Sequence, residues 1–152
     1  GTRLLPRSLP PPPHPPGAMD FPMFPTMHQI APERWGDAYL WRSLVEGGAA
    51  LAYASDWPVS DVSVLRGLGA ALTRQPYPGG TDQRLGLMDS LRAYTAGGAW
   101  AAHFDDVTGM LRPGLAADLV MLDFDVEAAD PTVLGAQKVA LTIAGGRITY
   151  EA

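Results

Sequence analysis

The chain has 152 residues, a net charge of −5, an apolar share of 47% and no cysteine. This suits one globular domain or parts of two. It excludes the clustered Lys and Arg of a nucleic-acid partner, disulfides, thiolate nucleophiles and Cys-type zinc sites, and any apolar run of the roughly 18–20 residues that span a membrane.

The first residues, Gly1 to Arg7, lack the apolar stretch of a signal peptide. Pro10-Pro11-Pro12-Pro13-His14-Pro15-Pro16 follows. It reads either as a polyproline II interaction segment or as the start of a piece cut from a larger protein just upstream of a structured loop. The second reading is preferred, and residues 1–10 are expected to be disordered. Residues 18–31 carry Met19, Phe21, Met23 and Phe24 without periodicity, the mark of a covering or binding loop.

Pro32 to Glu46 predicts a helix, with Pro at a first helical position, Glu33 in the first turn, and Trp35 and Tyr39 four apart on one face. Gly47-Gly48 ends it. Ala49 to Ala54 is continuously apolar and too short for a helix, so it fits a strand buried on both faces, as in a parallel sheet. Asp61 to Thr73 predicts a second helix, with Val62, Leu65, Leu68, Ala71 and Leu72 on its apolar side. A Pro/Gly loop runs to Arg84. Leu87 to Phe104 predicts a third helix, weakened by Gly97-Gly98.

After Thr108-Gly109 the pattern changes. Leu111-Arg112-Pro113-Gly114 reads as a turn and Ala117 to Asp123 as a strand. Val139 to Ile143 and Arg147 to Tyr150 form a hairpin about Gly145-Gly146. Helix, Gly-Gly, buried strand and helix are α/β grammar. Three further strands are too few for a free-standing sandwich and read as half of one.

The residues richest in chemistry are Ser55-Asp56-Trp57-Pro58, where the apolar run opens into a turn. Asp56 has two readings. It either caps the following helix, or it is a carboxylate held at a strand end to bind a metal and handle a proton. Taken by themselves, these residues favour the cap.

Several stretches, in this order, resemble the C-terminal part of the amidohydrolase superfamily, in particular the branch called amidohydrolase family three (the YtcJ-like and N-substituted formamide deformylase-like proteins). They are His14-Pro15-Pro16, Glu33-Arg34 through Arg42, Gly48 through Val59, Ala70-Ala71-Leu72-Thr73-Arg74 and Leu91 through Thr95. Gly109 through Gly114, Ala117 through Asp123 and Gly145-Gly146-Arg147 continue the match.

The resemblance implies an α/β fold: residues 1–108 would be the last two strands and helices of a TIM (β/α)8 barrel, and residues 109–152 half of a composite β-sandwich. It implies a metal-dependent hydrolase of non-peptide carbon–nitrogen bonds acting on a small amide-type substrate. The expected cofactor is a divalent metal, zinc, as one or two ions. On this template Asp56 is both metal ligand and catalytic acid–base group at the open mouth of the barrel, which reverses the preference for the cap, and His14 is a substrate-binding residue. The family's other ligands, a His-x-His pair among them, have no counterpart, since the histidines are only His14, His28 and His103. The chain is therefore expected to be a C-terminal portion, inactive alone.

A non-catalytic remnant or a Pro-rich interaction module is the alternative. His28 is read as a loop residue, His103 as helix-terminal, Tyr53 and Trp57 as packing residues, and Asp118 and Asp123 as turn and edge residues. Arg74 is left between an anion contact and a solvent-facing role. No nucleic-acid or membrane partner is expected, a homo-oligomer is compatible with the family, and a cytoplasmic location is expected.

Overall fold

A left-handed residue divides the first expected helix in two. In the computed structural model, which describes residues 30–58, 61–76 and 79–152, Pro32–Asp37 is a 3-10 helix and Trp41–Glu46 a short α-helix, α1. Between them Ala38 is extended and Tyr39 has φ 58°. A right-handed helix cannot pass through that conformation. Trp35 and Tyr39 therefore do not share a helical face. Arg74 holds the break, donating to the Tyr39 carbonyl at 3.3 Å and stacking its guanidinium 4.9 Å from the Tyr39 ring centroid.

Helix α1 ends at Gly47, and Gly48 takes φ 86°. The apolar run that follows is extended, but no β-ladder forms on it among the described residues. Leu51, Ala52 and Tyr53 are consecutive and all buried, so both faces of the run are covered there, whereas Ala50 and Ala54 are exposed. Helical packing provides part of that cover. The Tyr53 N–H donates to the Ala93 carbonyl at 3.0 Å. Leu51, Tyr53, Ala71, Leu85 and Ala93 form one core cluster, with Trp41, Val45 and Tyr94 against it. The Tyr53 ring meets Trp41 and Tyr94 edge-on, at centroid separations of 6.5 and 5.3 Å, a favoured aromatic geometry. Burial pushes the Tyr53 hydroxyl up to about 12 and raises that of Tyr94 as well.

The second helix, α2, spans Val64–Thr73. Its inner surface is Leu68, Gly69, Ala70 and Ala71, all buried, while Val62 lies before the helix and is exposed. The third expected helix is two, α3 (Leu87–Tyr94) and α4 (Ala96–Ala102). The break is at Thr95 (φ −110°, ψ −92°), not at Gly97-Gly98. The Thr95 hydroxyl donates back to the Leu91 carbonyl at 2.8 Å, a side-chain bond that competes with regular helix geometry.

Polar contacts stitch the 81–85 loop to α1. Gln83, itself buried, accepts from the Ser43 N–H at 2.9 Å and donates to the Ser43 hydroxyl at 3.0 Å. Arg42 donates to the Arg84 carbonyl at 3.0 and 2.7 Å. The forked bonds from Arg84 hold the Asp82 carboxyl well below the usual carboxylate range.

Beyond α4 the chain forms an antiparallel sheet of β1 (Leu119–Leu122), β2 (Val139–Ala144) and β3 (Arg147–Glu151), in that order. Leu119 pairs with Ile143 and Thr142 with Tyr150, and Gly145 and Gly146 turn the hairpin with φ 55° and 77°. Both centres of this two-residue turn need positive φ, which is why glycine fills them. Every residue of β3 is exposed. A 3-10 helix at Pro131–Ala136, for which the sequence reading had no element, packs on α2 and buries Leu134. Asp130 caps it, accepting from the Thr132 N–H and hydroxyl, both at 2.8 Å.

One carboxylate fastens this sheet to the segment leaving the helices. Asp118 accepts from the Thr108 hydroxyl and from the Gly145 N–H, each at 2.6 Å. The Thr108 bond first, then that of Gly145, lowers the Asp118 carboxyl below its ordinary value. Asp118 is thus a turn-fastening residue, as its place at the strand edge suggested.

Two predictions follow from this packing. A Cβ at Gly97 would overlap the Leu51 carbonyl oxygen, while at Gly98 nothing lies within 4 Å. Gly97→Ala should lower the unfolding free energy by about 1–3 kcal/mol and Gly98→Ala should raise it by roughly 0.5–1 kcal/mol, as read by paired denaturant melts. The depressed Asp118 carboxyl contributes stability that is present above the ordinary Asp value of about 3.9 and lost as pH falls through its lower folded value. NMR titration should place its midpoint below that ordinary value, and Asp118→Ala should remove this acid-sensitive contribution.

Candidate active site

Asp56 stands three residues beyond the buried Tyr53, at the point where the extended run leaves the core. Its backbone is left-handed, with φ 53°, and Asp56-Trp57-Pro58 forms a turn across a cis Trp57–Pro58 bond. Aspartate tolerates this region better than most residues, yet the conformation still has to be held by its surroundings. Part of the hold is visible: the Trp57 N–H donates to the Ser55 hydroxyl at 3.3 Å.

The cap reading of Asp56 fails. Helix α2 is capped by Ser63, whose hydroxyl accepts from the Arg66 N–H at 3.3 Å. Asp61 supports that cap, accepting from the Ser63 N–H at 2.8 Å and pairing with Arg66. The Ser63 bond, followed by the Arg66 charge, holds the Asp61 carboxyl below its ordinary value. Asp56 takes no part, and among the described residues its carboxylate accepts no hydrogen bond.

Asp56 is exposed, so both carboxylate oxygens are open to a proton or a cation. A hollow of about 300 Å³ lies elsewhere, lined by Val45, Ala49, Leu51, Leu85, Ala93 and Trp100 among others, without Asp56. Among the described residues, no group of three or more His, Asp or Glu side chains could hold a metal ion. No helix among them is long and apolar enough to cross a membrane.

The other candidates divide clearly. His14 and His28, with the Pro-rich segment, lie outside the described residues. Tyr53 packs, as expected. Trp57 does not: it is 69% exposed, which corrects its reading as a packing residue. Arg74 is neither solvent-facing nor loosely placed, being 6% exposed and set over Tyr39. A helix-closing Arg in an Ala-Ala-Leu-Thr-Arg run carries no periodic signal that would have revealed this. His103 ends α4 in a left-handed conformation (φ 62°).

Helices packed on a buried run, an acid beyond its end and a three-stranded antiparallel sheet are an arrangement with counterparts among solved hydrolases. A metal-dependent hydrolase from Pyrococcus horikoshii aligns over 72% of this chain and 23% of its own, with 26% identity and a TM-score of 0.56. The chain belongs to the amidohydrolase family, whose profile matches residues 11–150. It is 35% identical to the Arabidopsis thaliana protein LONG AFTER FAR-RED 3 over 75% of this chain and 20% of that protein. It is 29% identical to the Bacillus subtilis protein YtcJ over 88% of this chain and 26% of YtcJ. The chain therefore spans 20% and 26% of the lengths of these two relatives.

The backbone at Asp56 gives a further test of its role. Asp56→Gly, which suits the left-handed conformation, should leave stability unchanged or raise it by up to about 1 kcal/mol, while Asp56→Ala should lower it by roughly 1 kcal/mol. A capping role would make both variants less stable, so urea melts of the pair separate the two.

Proposed function

We propose that the protein is a metal-dependent amidohydrolase that hydrolyses non-peptide carbon–nitrogen bonds of small amide-type substrates, with Asp56 as its proton-handling carboxylate. The observation that carries this reading is the placement of Asp56. It is anchored through Tyr53 and Ala93, held in a left-handed turn, absent from the α2 cap, and open at both oxygens. Family membership over residues 11–150 supports it. So does the naming of the Pyrococcus horikoshii protein as a metal-dependent hydrolase.

The same reading makes the extended run the closing strand of a (β/α)8 barrel and the three-stranded sheet one half of a β-sandwich. Burial on both faces at Leu51–Tyr53 and the full exposure of β3 support it. The remaining strands, and the wall opposite Asp56, would come from sequence outside residues 30–152. His14, at the rim by the family template, would contact substrate. Activity is assigned to the assembled enzyme, not to this segment by itself.

Among the described residues, the donor this reading assigns to a divalent metal is Asp56. Asp56 supplies a hard, unengaged carboxylate oxygen of the type that zinc accepts. When bound, such an ion polarises the scissile carbonyl and makes water acidic enough to attack near neutral pH. The work of the chain's own residues is positional and acid–base. The Tyr53–Ala93 bond and the aromatic cluster set where Asp56 stands, and its left-handed backbone sets the direction of the side chain. One Asp56 oxygen accepts the proton of the attacking water as the new carbon–oxygen bond forms. The same oxygen returns that proton to the leaving nitrogen as the carbon–nitrogen bond breaks, so no proton is gained or lost over the cycle.

In the metal-loaded enzyme, Asp56→Asn should therefore lower kcat by about 10²- to 10⁴-fold with an unchanged far-ultraviolet circular dichroism spectrum. Turnover retained at the level of the parent enzyme would refute the assignment.

A further inference from the structure

The residue directly after the candidate acid stands out from the others of its type. The chain has four tryptophans. Trp35, Trp41 and Trp100 are half-buried, whereas Trp57 is 69% exposed. An indole presents a large, rigid apolar face with a polar N–H edge, a combination suited to contact with a ligand. Trp57 is also absent from the core cluster, in which the Tyr53 ring meets Trp41 and Tyr94 edge-on.

Its position fixes what an indole could reach. The Asp56–Trp57 peptide is trans, so the two Cα atoms are about 3.8 Å apart, and both side chains leave one turn and are exposed. The turn limits how far the ring can be carried away. The Trp57 N–H is bonded to the Ser55 hydroxyl, and Asp56 is confined to its left-handed conformation. An indole offers a flat apolar face and a single N–H donor. That chemistry recognises a planar, apolar group and contributes nothing to proton transfer.

We propose that Trp57 is a specificity-determining residue, forming an apolar wall beside Asp56 that selects substrates with an aromatic or similarly flat group next to the scissile carbon–nitrogen bond. The proposal rests on the reading of Asp56 as the reacting carboxylate and names the substrate class for that site. It assigns Trp57 to ground-state binding, so its removal acts on affinity and not on the acid–base step.

The test uses two probes that differ only in the group that would meet the indole, benzohydroxamate and acetohydroxamate, titrated calorimetrically into the intact metal-loaded enzyme. The parent enzyme is expected to bind benzohydroxamate about 10- to 100-fold more tightly. Trp57→Ala should erase most of that ratio by weakening benzohydroxamate alone, and Trp57→Phe should keep most of it. The proposal is overturned by a ratio that Trp57→Ala leaves unchanged, or by benzohydroxamate failing to bind the parent. It is equally overturned if the Ala variant weakens both probes alike while its Tm falls by several degrees, for Trp57 would then be packing against protein. Failure of the Asp56 reading is seen separately, as turnover surviving in Asp56→Asn, and does not depend on the probe ratio.

Discussion

The described structure depends on a three-residue stretch, Leu51-Ala52-Tyr53, being buried while extended. Extended backbone has no internal hydrogen bonds, so its burial must be compensated by neighbours. Helix α3 answers one donor through the Ala93 carbonyl, and α4 lies so close that only hydrogen fits at Gly97 beside the Leu51 carbonyl. Around this the Trp41–Tyr53–Tyr94 cluster supplies aromatic packing. The turn at Asp56 is the direct continuation of this clamped stretch, and the precision of the candidate acid derives from it.

A second, polar framework keeps α1 in place against the same core. Gln83, Arg42 and the Asp82–Arg84 pair tie the 81–85 loop to α1 by bonds to main-chain atoms as well as side chains. Exposed ion pairs contribute little stability by themselves. Here their effect is directional: they set where Trp41 and Val45 meet the core. Arg74 acts similarly on the other side of α1, fixing the left-handed Tyr39 by a bond and a stacked ring.

Much of this was legible in the chain. Apolar runs, Gly-Gly stops and the hairpin glycines located α1's end, α2, the sheet and its turn, because each rests on local periodicity or on a backbone conformation only glycine takes readily. Tyr39 is held by Arg74, distant in sequence, and Thr95 by a hydroxyl competing for the Leu91 carbonyl, and neither leaves a periodic trace. The 3-10 helix at Pro131–Ala136 is too short for a periodic pattern, and its signal is the local Asp130-Pro131 start. Ala49–Ala54 read as a strand because burial was legible, but a ladder needs a neighbouring strand and the described residues provide none. At the site, the type and place of Asp56 could be read from the tetrad and the family pattern. The openness of Trp57 could not, since an aromatic in an apolar context gives the same sequence signal whether it packs or projects.

The bond from Tyr53 to Ala93 also fixes an order of events during synthesis. Asp56 leaves the ribosome before the helix that anchors its foundation exists, and the Pro131–Ala136 segment that covers α2 follows later still. The acid-bearing turn is therefore made well before the residue that holds its base in place. A nascent chain paused before Ala93 would carry an apolar ribbon with no partner, the kind of exposed stretch that chaperones engage.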